Sequence, residues 1–453
     1  MRFYERFGSG VSVTETIVAR ITPGGRSAVA LVRISGRDSW RITRQLLSRF
    51  PEAISPGTFF YSKILDQGKV VDDVVVSFWK GPASYTGEDV VEMGCHGNPL
   101  IVEKIIELSI AAGARFALPG EFSQRAFTNG KMDLTQVESV IDIISASTEV
   151  ALRAAHAMRE GRLGLKIQEM KIKLIDLLAH LEAYIDFPDE DITPETGVQF
   201  QNRVLAIKDE SDSLLKTAPY GKAIREGIRT VIVGEPNVGK STFLNLLLRE
   251  KRAIVSDRPG TTRDTIEAPY QLGGIPLILV DTAGQRETED LIEQEGIDRA
   301  RRGMEQADLV LYLVDATKPD LVKLDRERKE GQLWLKIGNK SDLGPMLHPD
   351  AFPFSCQESG AVEKIEKFLS QKLLESMPST TLSDFAINAR QEGALRLASE
   401  SLQQGVNSLL RGESPEYASI GLRAALESLG DVVGLATNED ILDSLFKQFC
   451  IGK

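Results

Sequence analysis

The sequence predicts a multidomain α/β chain: an N-terminal α+β domain, then a helical domain interrupted by an inserted α/β domain. Three observations predict it. From Thr16 to about Gly130, short β-rich runs alternate with helical ones. Beyond Leu134 the strand signals stop, and apolar residues recur at steps of three and four, the period of one helix face. A second α/β pattern opens at "RTVIVG" (229–234), and helical periodicity returns after "SMPST" (376–380).

Length and composition agree. At 453 residues the chain exceeds one ordinary core, so about three domains are expected. A chain with 42% apolar and 26% charged residues reads as soluble and globular. No apolar run approaches the about 18 residues of a membrane span, and "MRFYERFGSG" lacks a leader layout, so the expected location is cytoplasmic. Cys95, Cys356 and Cys450 lie far apart, and no histidine stands at metal-ligand spacing from another, which argues against a disulfide framework or structural zinc. The net charge of −11 argues against indiscriminate coating of nucleic acid. The basic stripe Arg153, Arg159, Arg162, Lys166, Lys171 and Lys173 reads as a solvated helix face.

In chain order, residues 1–15 read as an extension and 16–133 as the α+β domain. Strands are expected at "AVALVRISG" (28–36) and "DDVVVSFW" (72–79), and a helix at "LIVEKIIELSIAAGA" (100–114). Residues 134–217 form the first helical part, with Ile167, Met170, Leu174, Leu178, Leu181 and Ile185 as its apolar stripe. "DFPDEDITPETG" (186–197) breaks the pattern with two prolines, and "TAPYGKAIREG" (217–227) reads as a turn-rich linker. The inserted domain spans 218–375, and the second helical part, 376–453, carries the stripe Leu422, Leu426, Leu429 and Val433. "TNEDILDSLFKQF" (437–449) reads as a capped last helix with Ile441, Leu445 and Phe449 on its docking face.

The inserted domain carries the chemistry. "GEPNVGKS" (234–241) matches G-x-x-x-x-G-K-[ST] between a strand and a helix, so backbone N–H groups and the helix N-terminus can hold phosphate. Lys240 is placed to neutralise the β- and γ-phosphates, and the Ser241 hydroxyl to ligate Mg²⁺. Thr262 in "GTTRD" (260–264) offers a second hydroxyl to that ion. "LILVDTAG" (277–284) ends a strand in Asp281 and Gly284, placed for the metal's water shell and the γ-phosphate. In "LKIGNKSD" (335–342) the Asp342 carboxylate can pair with guanine N1–H and the 2-amino group, which adenine lacks, so GTP is selected. "SCQ" (355–357) would close the base pocket. A Ras-like P-loop GTPase domain is expected. Its GTP contacts are Asn237, Val238, Gly239, Lys240, Ser241 and Thr242; Ser256, Asp257, Arg258, Pro259, Gly260, Thr261 and Thr262; Asp281, Thr282, Ala283 and Gly284; Asn339, Lys340 and Asp342; and Ser355, Cys356 and Gln357. Gln285 occupies the place of the water-orienting glutamine of Ras-like proteins, whereas Asn237 is typical of a branch that uses potassium.

Together with "RISG" (33–36), "TGEDVVEMGCHG" (86–97), "PGEFSQRAFTNGKMDL" (119–134) and the final "FCIGK" (449–453), this arrangement resembles the MnmE (TrmE) family from about Thr16 to Lys453. The resemblance implies that the N-terminal domain binds a one-carbon tetrahydrofolate, in the 5-formyl or 5,10-methylene form, through Arg33, Glu92, Lys131 and Lys453, and that it dimerises. It implies K⁺ ligands in the Asn237 side chain and the carbonyls of Ser256, Arg258 and Thr261, and a catalytic acid, Glu293, that helps orient water. Gln285 departs from the family pattern, where a hydrophobic residue is usual, so Glu293 alone or both residues position the water. The implied function is GTP-dependent installation, with a flavin-dependent MnmG-type partner, of the aminomethyl or carboxymethylaminomethyl group at C5 of wobble uridine in certain tRNAs. The alternative is a regulatory GTPase switch in ribosome or complex assembly. Cys450 is either a thiolate nucleophile toward uridine or a packing residue of the last helix. Cys95 and His96 look like a catalytic pair, but neighbours on a strand face opposite ways, so both read as structural.

Overall fold

The computed structural model describes residues 15–51, 55–186, 198–249, 267–280, 303–320, 328, 331–376, 385–435 and 439–453. Contacts divide the chain into two units, Met1–Ile141 with Gly430–Lys453, and Asp142–Leu429.

The first unit is built on a six-stranded sheet of β1 (Ile17–Arg20), β2 (Ser27–Ser35), β3 (Phe59–Asp66), β4 (Lys69–Trp79), β5 (Val90–Gly97) and β6 (Arg115–Phe116). Its order is β3-β4-β5-β2-β1-β6, with all pairs antiparallel except β1 and β6. One face presents Val32, Ile34, Val74, Val76, Val91 and Met93 to helices α1 (Ser39–Leu46) and α2 (Pro99–Ala111), where Ile42, Leu46, Val102 and Ile105 complete the core. Strand alternation therefore turns Arg33, between Val32 and Ile34, to the opposite face, directly across from Glu92. The Asn98 side chain caps α2 by accepting from Leu100 N–H. That helix ends at Ala111 rather than Ala114, because residues 115–116 are taken into the sheet beside β1.

Helices α3 (Glu121–Thr128) and α4 (Leu134–Ser145) follow, and α4 leads into the second unit. That unit holds helices α5 (Glu149–Arg159), α6 (Arg162–Asp186), α7 (Val198–Leu215) and α8 (Ala218–Glu226) ahead of its own sheet. The predicted stripe of α6 is its buried face, with Ile167, Met170 and Leu174 at zero exposure. The expected linker over 217–227 is corrected: Pro219 sits in the first turn of α8, where its missing N–H is not needed, and Gly227 ends the helix at φ 80°. Ala223 and Ile224 are buried, so turn-forming residue types gave way to an apolar contact.

The second sheet comprises β7 (Ile228–Gly234), β8 (Glu267–Leu272), β9 (Ile275–Val280), β10 (Leu309–Asp315), β11 (Leu333–Asn339) and β12 (Phe352–Pro353), in the order β12-β11-β10-β7-β9-β8. Every pair is parallel except β8 with β9. Helices α9 (Lys240–Arg249) and α10 (Ala361–Ser376) cover it through Phe243, Leu247, Ile365 and Leu369. Helices α11 (Ala389–Leu410) and α12 (Pro415–Val433) then return to the earlier ones. Helix α7, from before the sheet, and α11, from after it, are tied by Ser211 Oγ donating to Leu395 O (3.1 Å) and Ser399 Oγ donating to Asp212 Oδ1 (2.6 Å). The predicted interruption of a helical bundle by an α/β sheet is thus present.

Helix α13 (Glu439–Phe446) belongs to the first unit, where Phe446 and Phe449 pack with Ala126, Met132, Val137 and Val140. Its docking face differs by one position from the predicted stripe. Leu442, Leu445, Phe446 and Phe449 join the cluster, while Ile441 is 48% exposed. The helix stops at Phe446 and a turn carries Phe449 inward, so its burial does not follow from helical spacing.

Candidate functional site

Strand β7 delivers the chain to the phosphate-type loop and α9 receives it at Lys240. The loop needs its glycines. Gly239 has φ 102°, and a Cβ there would lie 2.5 Å from Asn339 Nδ2. Asn237, also at positive φ (58°), is the kind of residue that tolerates that region best after glycine. The Lys240 ammonium donates to Gly234 O (2.9 Å) and Glu235 O (2.8 Å), and burial lowers its pKa from the ordinary lysine value.

The N-K-x-D segment reaches the loop from the end of β11. Asn339 Nδ2 donates to Val238 O (2.8 Å), and Asn339 Oδ1 accepts from Cys356 N–H (3.4 Å), joining the third segment. Lys340 Nζ donates to Asn237 O (2.8 Å) and pairs with Asp315 at the end of β10 (3.0 Å). Burial raises the Asp315 pKa, but hydrogen bonds from Lys340 and Thr317 outweigh it, so the carboxyl titrates below its usual range and stays ionised. Asp342, Ser241, Thr242 and Gln357 are exposed, and Ser355 is buried. Three separate sequence segments therefore meet at the carboxyl ends of parallel strands, where open α/β sheets bind ligands. Ser256, Asp257, Arg258, Pro259, Gly260, Thr261, Thr262, Asp281, Thr282, Ala283, Gly284, Gln285 and Glu293 lie outside the described residues.

A second constellation lies in the first unit. The Arg33 guanidinium binds the Glu92 carboxylate at 2.8 Å and stands 4.9 Å from the Tyr85 ring centre and 5.3 Å from that of Phe122. Such cation–π contacts contribute about 0.5–2 kcal/mol each and fix the plane of the guanidinium. The end of the chain approaches the same residues. Ile451 packs on Ile17, Ala19, Ala117 and Phe122, and Gly452 turns at φ 102° so close to β1 that a Cβ would lie 2.3 Å from Arg20 O. Lys453 is half-buried, and its pKa is lowered first by that burial and then by the charge of Arg33. A second cation near Arg33, whose own carboxylate partner is Glu92, makes a place suited to an anionic or acceptor-rich ligand.

Lys131 is exposed and lies along Gly87, and Cys450 is exposed. The Cys95 thiol is buried and pushed up to about 11 by desolvation, while the exposed His96 ring pairs with Asp72 at 2.8 Å on the opposite face. The two side chains lie on opposite faces, as strand alternation predicts. Tyr85, Phe122 and Asp315 went unread in the sequence. The first two sit beside or inside the motifs around Arg33 and Glu92, so an aromatic neighbouring a motif was the available signal. Among the described residues no His, Cys, Asp or Glu group could hold a metal, and no helix is long and apolar enough to cross a membrane.

The comparisons decide the family. A model described as the GTP-binding protein TrmE N-terminus matches residues 16–131, and one described as the MnmE helical domain matches 134–450. This chain belongs to the MnmE family. Relatives called tRNA modification GTPase MnmE include one from Akkermansia muciniphila, 44% identical over 97% of this chain and 99% of its own. Those from Aquifex aeolicus and Thermotoga maritima are 40% and 41% identical over 97% of this chain and 100% of theirs. Among solved structures, the FeoB G-domain of Methanococcus jannaschii is 27% identical over 32% of this chain and 97% of that one; its TM-score of 0.24 adds nothing to the fold assignment.

Proposed function

We propose that this chain is a GTP-hydrolysing enzyme of tRNA modification, as its family's members are named. The observation that carries the reading is the junction of the phosphate loop with Asn339 and Lys340, which leaves Asp342 exposed to read guanine. Asn237, Val238, Gly239, Lys240, Ser241 and Thr242 would contact GTP on one side, and Asn339, Lys340, Asp342, Ser355, Cys356 and Gln357 on the other. The segments 256–262 and 281–284 would complete the contacts.

Ser241 with Thr262 would hold Mg²⁺, and the Asn237 side chain with the carbonyls of Ser256, Arg258 and Thr261 would hold K⁺. The exposed Ser241 hydroxyl and Asn237 amide fit those roles, since no described residue engages either group. When bound, the two ions supply positive charge along the phosphates and beside the β–γ bridge. Glu293, with Gln285 as the second candidate, would orient the attacking water.

Arg33, Glu92, Lys131 and Lys453 would hold a one-carbon tetrahydrofolate, the 5-formyl or 5,10-methylene form. Its pterin edge suits Glu92 and its glutamate tail suits the cations. The Arg33–Lys453 proximity supports this reading. The proposed reaction, with a flavin-dependent MnmG-type partner, adds the aminomethyl or carboxymethylaminomethyl group at C5 of wobble uridine. The protein would act in the cytoplasm as a homodimer through residues 16–133, with 134–217 and 376–453 as helical domain and 218–375 as GTPase domain. Cys450, exposed beside Lys453, is the candidate thiol. Mass spectrometry of tRNA from cells lacking the chain tests the proposal: C5-modified wobble uridines should be lost. An unchanged set would instead favour a regulatory switch.

A further inference from the structure

We infer that Gly87 and Asn129 are positioning residues that set where the Lys131 ammonium is delivered, and so determine affinity for a folate at that site. The inference rests on the folate reading above. Its evidence is the loop Thr86–Asp89, which joins the Tyr85 ring to β5. The side chains of this loop are held at Thr86, Glu88 and Asp89. Thr86 Oγ1 shares a hydrogen bond with Ser35 Oγ (2.8 Å), and its carbonyl accepts from Asn129 Nδ2 (2.8 Å). Glu88 accepts from Ser35 Oγ at 2.7 Å and pairs with the buried Arg125 at 3.1 Å. Arg125 in turn pairs with the buried Glu121 at 2.9 Å. Asp89 accepts from Gly81 N–H (3.0 Å) and pairs with Lys80 (3.0 Å).

Gly87 is the residue of this loop without a side chain, and something else fills its place. It has φ 82°, and a Cβ there would stand 3.0 Å from Asn129 Cβ, 3.2 Å from Lys131 Cγ and 3.5 Å from Lys131 Cδ. The aliphatic stem of Lys131 therefore lies along the Gly87 backbone, while no described residue engages its ammonium. Lysine is among the side chains that lose most rotamer freedom when fixed. A stem laid on a rigid backbone has lost part of that freedom before a ligand arrives, which strengthens binding by preorganisation. A methyl at residue 87 would both strain the backbone and push the stem away.

A double-mutant cycle on the full chain tests this, with 5-formyltetrahydrofolate affinity measured by calorimetry. Gly87→Ala should weaken binding by about tenfold, the scale of coupling between contacting residues. It should have no further effect in a Lys131→Ala background, since it acts through that lysine. Wild-type affinity in Gly87→Ala, or an equal loss in both backgrounds, overturns the inference while leaving the folate reading in place. A wild-type chain that does not bind the probe removes both. Should thermal unfolding show that Gly87→Ala is misfolded, Asn129→Ala takes its place in the same cycle, with the same expected dependence on Lys131 and the same contrary result.

Discussion

Lys453 carries a charge in a place that resists it, and this has a measurable sign. Its pKa is lowered by burial and by Arg33, so between that lowered value and the ordinary 10.5 the unfolded chain binds the proton and the folded one does not. Stability therefore rises with pH across that window. An anionic ligand beside Lys453 raises its pKa, so folate binding at a pH inside the window should take up a proton. Calorimetry in buffers of different ionisation heat reads that uptake directly. Uptake that persists undiminished in Lys453→Met would assign the proton to another group. A second residue-scale expectation concerns water: Glu293→Ala should slow GTP hydrolysis more than Gln285→Ala, with nucleotide affinity little changed in either. The reverse order would mean that the glutamine beside "DTAG" does the positioning. At this scale the sequence was legible where a function is local. Lys240 and Asn339 were read from their motifs, whereas Tyr85, Phe122 and Asp315 meet partners distant in sequence, Arg33 for the first two and Lys340 for the last, which no short window contains.

Elements were legible where one periodicity dominated. The α6 stripe is buried as its spacing implies, because a 25-residue helix leaves the pattern little ambiguity. Short elements were not. In 217–227 the proline and glycines outvoted Ala223 and Ile224, yet a proline in the first turn and a glycine at the end are compatible with a helix. The segment after α13 carries Lys453, proposed as a folate contact. Removing Cys450–Lys453 deletes Lys453 and the Ile451 contact but none of the residues around Lys240, so wobble-uridine modification should be abolished with GTP binding and basal hydrolysis nearly intact. Loss of GTP binding in the truncated chain, measured with a fluorescent nucleotide, would make the segment a support for the fold.

For the whole molecule, the two constellations lie in different units, and K⁺ is proposed for the nucleotide one. Hydrolysis should be several-fold faster in KCl than in NaCl at equal ionic strength, because a correctly placed cation acts on the charge that develops in phosphoryl transfer. Equal rates would remove the role assigned to Asn237. The central claim is that hydrolysis at Lys240 serves tRNA modification by the same chain. It is tested most directly by restoring Lys240→Ala to cells that lack the protein and quantifying C5-modified wobble uridine by mass spectrometry. Modification should stay at the level of the deletion strain, with the variant present in normal amount. Full modification with hydrolysis abolished would contradict the claim.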